Sequence, residues 1–596
     1  MYNNLWYHLR IKFVLLFCAL LTGYTQADPG LNPQAETQVD AVQQQKQVEQ
    51  NKALQQKQSS DPTVRLENQT EALPTFPKEE KPCYPIRRLI LTDFSPDIVD
   101  FSNIPSSKIK PSKFHWMLNA VYTERDFVLP HCIGGEGINI LLKRIQNRLI
   151  EQGYITTRVV VQPQDLQGER VIFTIIPGRV NRFQLQDESR FPSASAATLW
   201  FAMPASEGEI LNLRDIEQGL ENLKRNPSAD VNIQLAAADN EIGGSDVVIQ
   251  YKQGFPIHLT LGLDDAGTKA TGRLQGSAIF SWDNIFSLND LFYVSLSKSI
   301  KRDSDNAEPP YGSKNVNLYY AVPWKNWLLT LSGYEYHYHQ SIAGAFENYQ
   351  YGGKSTQMRG SLSYLLYRDS RRKTYFSFDN WMRKSSNYIN DTEIEVQKRR
   401  MAGWEAGFRH IEFLGDATLQ LSATYKRGTG AYKAQRVPEE LYNEGTSRPQ
   451  IITASIHLNY PFILGKQSWR FITSWNAQWN QTPLIQQDKF SIGGRYTVRG
   501  FDGELVLSGE RGWLWRNELG WNIANKGQEI YLGVDKGTVY SRFNDLLGHS
   551  LVGGVIGLRG KALGLDYDYF VGIPISKPEG FKASHVVTGF NLSYRF

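Results

Sequence analysis

Few side chains in this 596-residue sequence are spaced as catalysis or ligation would need. Arg499 draws attention first, set in the stretch Gly494 to Glu504, GRYTVRGFDGE. Its guanidinium cannot shed its charge, so once withdrawn from water it requires a carboxylate, and Asp502 and Glu504 are the nearest in sequence. Gly500 permits a tight backbone bend beside it, and Phe501 gives the tip of a loop something apolar to pack. His337 and His339, in YEYHYHQ, lie two apart on a strand and share a face that could hold a metal, but no Cys, Asp or Glu ligand is visibly placed with them. Their alternation with tyrosine reads as a barrel girdle. No P-loop pattern and no catalytic constellation is present, so the reading is of a non-enzyme with no metal and no cofactor.

The elements that carry these residues begin with an address. Residues 1–27 hold Arg10 and Lys12, the apolar run FVLLFCALLTGY, and then Thr25, Gln26 and Ala27, the pattern of an export signal. Cys18 follows Phe17 inside that run, a poor lipoprotein cleavage site. Removal of the signal leaves Cys83 and Cys132, an even count in a compartment where disulfides persist, and they are expected to be bridged. The formal charge of +5 is too small and dispersed to argue for nucleic acid. After residue 27 no apolar run reaches the roughly 18 residues of a spanning helix. The 12% aromatic content, with 30 tyrosines, suits instead a barrel whose strands alternate lipid-facing and lumen-facing side chains.

Residues 34–58 contain good helix formers and no Gly or Pro, yet few apolar positions. At about 1.5 Å per residue a helix here would reach roughly 37 Å, enough to thread a barrel, and a disordered Gln-rich linker is the other reading. The following stretch, to residue 82, reads as a flexible tether. From Cys83 the texture is α/β. RRLILTDF is a strand, KFHWMLNAVYTERD helical, and GINILLKRIQNRLIEQGY a helix with Ile138, Leu141, Leu142, Ile145 and Leu149 on one face; TRVVVQPQ and RVIFTIIPG are strands. The same order recurs in NRFQLQD, ASAATLWFAM, LRDIEQGLENLKRN, VNIQLAAA and SDVVIQYKQ, with Leu213, Ile216, Leu220 and Leu223 on one helix face. Beyond residue 253 the chain alternates to its end, at about 21 residues per strand and connection for 16 strands of 9 to 11 residues. The final segment sets Phe590, Leu592, Tyr594 and Phe596 on one face, the terminus usual for an exported barrel.

Several pieces in this order resemble a known family, the two-partner-secretion transporters (the TpsB family), relatives of the barrel assembly machinery. Gly153-Tyr154, Pro163-Gln164-Asp165-Leu166 and Pro177-Gly178 resemble the signature of its first polypeptide-transport-associated (POTRA) domain. Leu213-Arg214-Asp215-Ile216-Glu217 with Asn226-Pro227-Ser228 resembles that of its second. Tyr496 to Phe501, with Val498-Arg499-Gly500-Phe501 at its centre, resembles the family's loop motif, and Val534-Asp535-Lys536-Gly537 the aspartate motif of a following strand. AAADNEIGG departs from the usual Pro-Gly turn of the second POTRA domain. The paired cysteines and motif details are most similar to the haemolysin and contact-dependent-inhibition (CdiB-like) branch.

The resemblance implies a mainly β fold: a signal peptide (1–27), a lumen-plugging helix (28–60), a linker (61–82), POTRA domains at 83–178 and 179–253, and a 16-stranded outer-membrane barrel (254–596). Its sixth outer loop, around 480–512, would fold inward, with Arg499 paired to Asp535 and Gly537 nearby. Gly153, Tyr154, Gln164, Arg214 and Asp215 would serve substrate recognition, and Tyr594 and Phe596 would signal assembly. The implied function is capture of a large unfolded exoprotein, CdiA-like or haemolysin-like, in the periplasm and its export through the pore without ATP. The implied partners are that cargo, outer-membrane lipids and the barrel assembly machinery, for a monomer. A barrel-insertion factor and a receptor-type importer are the alternatives.

Overall fold

Two-residue alternation builds the largest part of the molecule. On the strand Trp327–Ala343, Leu329 and Leu331 are exposed while Tyr336 and Tyr338 are buried, so apolar side chains face outward and polar or aromatic ones inward. The computed structural model describes residues 43, 47–56, 58, 62–66, 70–122, 126–191, 193–239, 241–300, 310–343, 347–524, 526–543 and 546–596. The expected export signal, and the first part of the expected helix up to residue 42, lie outside these. Sixteen long antiparallel strands close into a barrel. Closure joins Val587–Arg595 to Ile257–Asp264 over a short register, from Asn591 opposite Asp264 to Arg595 opposite Thr260. No helix among the described residues is long and apolar enough to cross a membrane.

The strands are longer than the 9 to 11 residues expected. Asn348–Arg368 has 21 residues and Arg372–Ile389 has 18, because their ladders continue past the lipid band as paired hairpins and keep the backbone hydrogen-bonded there. Tight turns at 325–326, 415–416 and 465–466 lie at one end of the barrel, and the longer connections at the other. The sixth long connection, residues 481–510, turns into the barrel.

Two α/β units precede the barrel, and the second packs on its tight-turn end, where Lys325 N donates to Phe201 O at 2.6 Å. The first holds β1 (Tyr84–Ile86), β2 (Arg88–Asp93), a 3₁₀ helix (His115–Tyr122), β3 (His131–Ile133), α1 (Gly135–Glu151), β4 (Arg158–Val160) and β5 (Arg170–Ile176). The second holds β6 (Arg179–Asp187), α2 (Ala196–Ala202), α3 (Leu213–Lys224), β7 (Ala229–Ala237) and β8 (Gly244–Gln253). The sheets run β2-β5-β4 and β6-β8-β7, each with one parallel and one antiparallel pairing, so the repeat legible in the sequence is a repeat of topology. The expected apolar faces build the cores: Leu141, Ile145 and Leu149 in one, Leu213, Ile216, Leu220 and Leu223 in the other. β4 stops at Val160, short of the expected strand. Beyond it the Gln164 amide takes over the ladder, accepting from Ile172 N at 2.7 Å and donating to Ile172 O at 2.9 Å.

Cys83 and Cys132 form a disulfide that ties the β1–β3 pair. The reading of the stretch before Cys83 as a flexible tether does not hold. Phe76 is buried in the first core, and its N–H donates to Asp126, itself held by Arg144. Glu80 accepts from Gly134, Glu136 and Gly137 at the start of α1, where a carboxylate meets unpaired N–H groups and the positive end of the helix dipole. Asn147 bonds both backbone groups of Glu71. A polar composition suggested freedom, but one aromatic and one capping carboxylate suffice to dock the chain.

Candidate functional site

The loop from Gly493 to Leu505 reaches the inner wall and is anchored there by Arg499. Its guanidinium forks onto Asp535, with Nε 2.7 Å from Oδ2 and Nη2 2.8 Å from Oδ1, while its backbone N–H donates to Oδ2 at 3.0 Å. Nη1 reaches Glu518 at 2.5 Å. Arg499 and Asp535 are both buried. A planar fork satisfied by two carboxylates is the arrangement in which a buried guanidinium is tolerated. Asp502 and Glu504, the alternative partners, are engaged elsewhere: Asp502 accepts from Ser584 Oγ at 2.6 Å, and Glu504 accepts from Lys269 N at 2.9 Å.

Backbone contact makes the fit tight. Asp535, on Gln528–Tyr540, faces Gly553, on Ser550–Ala562, across the ladder. A Cβ at Gly553 would lie 1.8 Å from the Arg499 carbonyl oxygen, and one at Gly572 would lie 2.8 Å from Gly500 Cα. One at Gly537 would meet Ile492 at 2.8 Å and Val498 at 3.0 Å. Gly553 and Gly572 make a floor on which the loop backbone rests, and Gly537 makes room for its side chains. Gly500 itself has φ 102°, a conformation that an L side chain resists. Val498 and Phe501 are buried with Ile492, Leu507, Leu514, Val539, Leu551 and Phe581, and the Phe501 ring meets Phe581 edge-on with centroids 5.8 Å apart.

The carboxylates belong to a larger lumenal network that sequence reasoning missed. Arg559 bonds both Glu518 and Glu529, and Arg470 reaches Glu529 at 2.8 Å. Arg516 lies 3.7 Å from Asp535 and donates to the Tyr496 carbonyl at 3.1 Å. A second anchor joins Arg495 to Asp265 in the first long connection. The signal was present as charged residues at inward positions of otherwise apolar strands, but their partners lie on other strands.

The described part of the N-terminal helix, residues 47–56 with 43 and 58, runs along the lumen wall. Gln43 donates to Thr268 at 2.8 Å and accepts from the Tyr336 hydroxyl at 3.3 Å. Asn51 accepts from Asn315 at 3.2 Å, and Leu54 packs with Tyr293 and Tyr319. His337, a candidate ligand, lies 2.7 Å from Glu335, which also meets Lys354 at 3.2 Å. The carboxylate not seen beside the histidine pair was two residues away on the same strand face.

The other candidate positions are scattered over the α/β units. Gly153 ends α1 at φ 96°, and its carbonyl accepts from Leu213 N at 2.8 Å, so it sits in the seam with α3. A Cβ there would meet the Asn212 side chain at 2.3 Å. The Tyr154 ring meets Phe114 edge-on at 5.0 Å. Arg214 is buried and pairs with Glu217 at 2.6 Å, while burial raises the pKa of neighbouring half-buried Asp215. At the other end, Tyr594 stacks edge-on with Phe596, whose N–H donates to Leu259 O at 2.9 Å.

Comparison with known proteins matches this geometry. The family described as haemolysin secretion/activation protein ShlB/FhaC/HecB matches residues 243–560, a ShlB-type POTRA domain matches 117–178, and a further POTRA domain matches 179–237. Outer membrane transporter CdiB-2 of Burkholderia pseudomallei is 32% identical, over 97% of each chain. Outer membrane transporter CdiB of Dickeya dadantii is 27% identical, over 98% of this chain and 99% of the relative. The solved structure of CdiB from Acinetobacter baumannii, 28% identical, covers 95% of this chain and 100% of its own, with a TM-score of 0.79. With its barrel, POTRA units and relatives all in agreement, the chain belongs to the ShlB/FhaC/HecB family, the outer-membrane transporters of two-partner secretion.

Proposed function

We propose that the large exoprotein this transporter exports is a toxin or adhesin of the CdiA-like or haemolysin-like kind, captured unfolded by strand addition to a POTRA sheet edge. β7 is suited to this, being the outer strand of its sheet and paired with β8 alone among the described residues. Strand addition recognises backbone and tolerates many side chains. Gly153, Tyr154, Gln164, Arg214 and Asp215 act in recognition by setting how the two POTRA sheets present their edges. In the domain division 83–178, 179–253 and 254–596, residues 28–60 plug the resting lumen and leave it for transport. The chain then passes in extended form, and folding outside prevents its return, so no ATP is needed.

Arg499, Asp535, Val498, Gly500, Phe501 and Gly537 form a latch that fixes the inward loop in register with the wall. The bidentate Arg499–Asp535 pair is the observation that carries this reading. The exposed apolar belt, including Leu259, Leu261, Leu318, Leu331 and Leu362, faces outer-membrane lipid; the protein works as a monomer, and Tyr594 and Phe596 address it to the barrel assembly machinery. The test is export of the cognate exoprotein by Arg499→Ala, Asp535→Ala and the double variant, with heat-modifiability as the control for a folded barrel. Both single variants lose export, and the double loses clearly less than the sum of the two. Wild-type export by both singles would reduce the pair to a passive contact.

A further inference from the structure

At the rim where α3 meets the barrel, five residues of this chain lie in a site whose hydrogen-bonding groups read backbone. Residues 62–66 alternate in exposure, with Pro62, Val64 and Leu66 turned inward and Thr63 and Arg65 outward. Val64 N donates to Glu221 at 2.8 Å, Val64 O accepts from Arg368 Nη2 at 2.8 Å, and Leu66 N donates to Glu217 at 2.8 Å. Val64 and Leu66 add apolar contact with the core of the second POTRA unit, and Arg65 lies over the Phe413 ring at 4.9 Å. Arg368 also binds Glu217, Gln218 and both oxygens of Glu221, and Lys373 binds Glu221. The carboxylates are almost wholly withdrawn from water, with Glu217 side chain 1% and Glu221 2% exposed.

We infer that this rim is a binding site for an extended polypeptide backbone, filled in the resting state by residues 62–66 and open to a segment of the unfolded exoprotein once they leave. The inference rests on the export reading above. Three observations favour it. The polar groups touch N–H and C=O groups alone, so a foreign chain satisfies them equally, given modest apolar side chains at alternate positions. Emptying the site strips hydrogen-bond donors from buried carboxylates, which favours a replacement. Residue 62 also follows the lumenal helix by only a few residues, so withdrawal of the helix draws the occupant out as the pore clears.

The test uses the full-length transporter in detergent, with residues 62–66 replaced by Gly and Ser in equal number, and a fluorescein-labelled synthetic peptide of residues 60–70 as probe. A tethered occupant competes at an effective concentration of about millimolar, so the replaced variant binds the probe about tenfold or more tightly than the unaltered protein. Methylating the peptide nitrogens of Val64 and Leu66 abolishes binding, adding Glu221→Gln to the replaced variant weakens it, and a reduced, alkylated, permanently unfolded protein competes with the probe. Equal binding by the methylated peptide, no gain on replacement, or no competition by the unfolded chain would overturn the inference. Heat-modifiability verifies that each variant is folded. Peptide binding makes no use of export, and the Arg499 export assay makes no use of peptide, so the two readings fail independently.

Discussion

Two arginines with buried side chains hold two irregular segments of this molecule in place, and they do so in opposite ways. In the lumen, the held segment supplies the arginine: Arg499 belongs to the loop, and the wall supplies Asp535, Glu518 and a floor of glycines. At the periplasmic rim the holder supplies it: Arg368 belongs to the barrel, and the strap of residues 62–66 offers its backbone. The first grip depends on the identity of the held residue, and the second depends hardly at all on it. A part that must return to one register is suited by the former, and a place that must accept changing chains by the latter.

The largest expected effect comes from Gly553→Ala, which leaves every charge in place but puts a Cβ 1.8 Å from the Arg499 carbonyl. Export falls as far as in Arg499→Ala; unchanged export would show that the loop does not depend on the glycine floor. Next is Arg368→Ala, which takes charge-assisted hydrogen bonds from Glu217 and Glu221 in a dry site but leaves Arg214 and Lys373 beside them, at a cost of about 2 kcal/mol. Limited tryptic cleavage after Arg65 should accelerate, while the heat-modifiable barrel remains. Val64→Ala keeps both backbone bonds and removes only a half-buried side chain, so the same assay shifts by no more than about 1 kcal/mol. A larger shift would mean that the rim reads side chains after all. Glu504→Ala, smallest of the four, acts at an exposed site where Lys269 N is bound, and export stays within about twofold, as expected of a surface change worth about 0.5 kcal/mol.

The contrast also explains what could be read from the chain alone. The POTRA repeat was legible because its helices bury one face each, a periodicity visible in Leu213, Ile216, Leu220 and Leu223. The barrel was legible through alternation, and the inward loop with its Arg499–Asp535 pair through the family resemblance that Val498, Arg499, Gly500 and Phe501 help to carry. Glu518 was not, because an inward charge on a strand looks the same whether it meets water, a neighbouring strand or a loop. The docked strap was least legible. Val64 and Leu66 are ordinary residues in a polar stretch, and their polar contacts run through atoms that every residue carries. The strand lengths were underestimated for a related reason: nothing in side-chain alternation marks where the lipid ends and a hairpin continues into water.

The seam between Ile257–Asp264 and Val587–Arg595 has a consequence for how the protein is made. Every other neighbouring pair of barrel strands is close in sequence, so each hairpin can form as soon as its two strands are available. Closure must join two ends more than three hundred residues apart, through the register from Asn591 to Arg595, the Phe596 N–H to Leu259 O bond, and the bonds from Phe590 N to Asp265 and from Arg273 to Thr588 O. Closure is therefore the step that must wait for both ends of the barrel, and until it occurs the nascent sheet carries two unpaired edges. In that interval a truncation of even a few residues from the C-terminal strand leaves an open, aggregation-prone sheet in place of a pore.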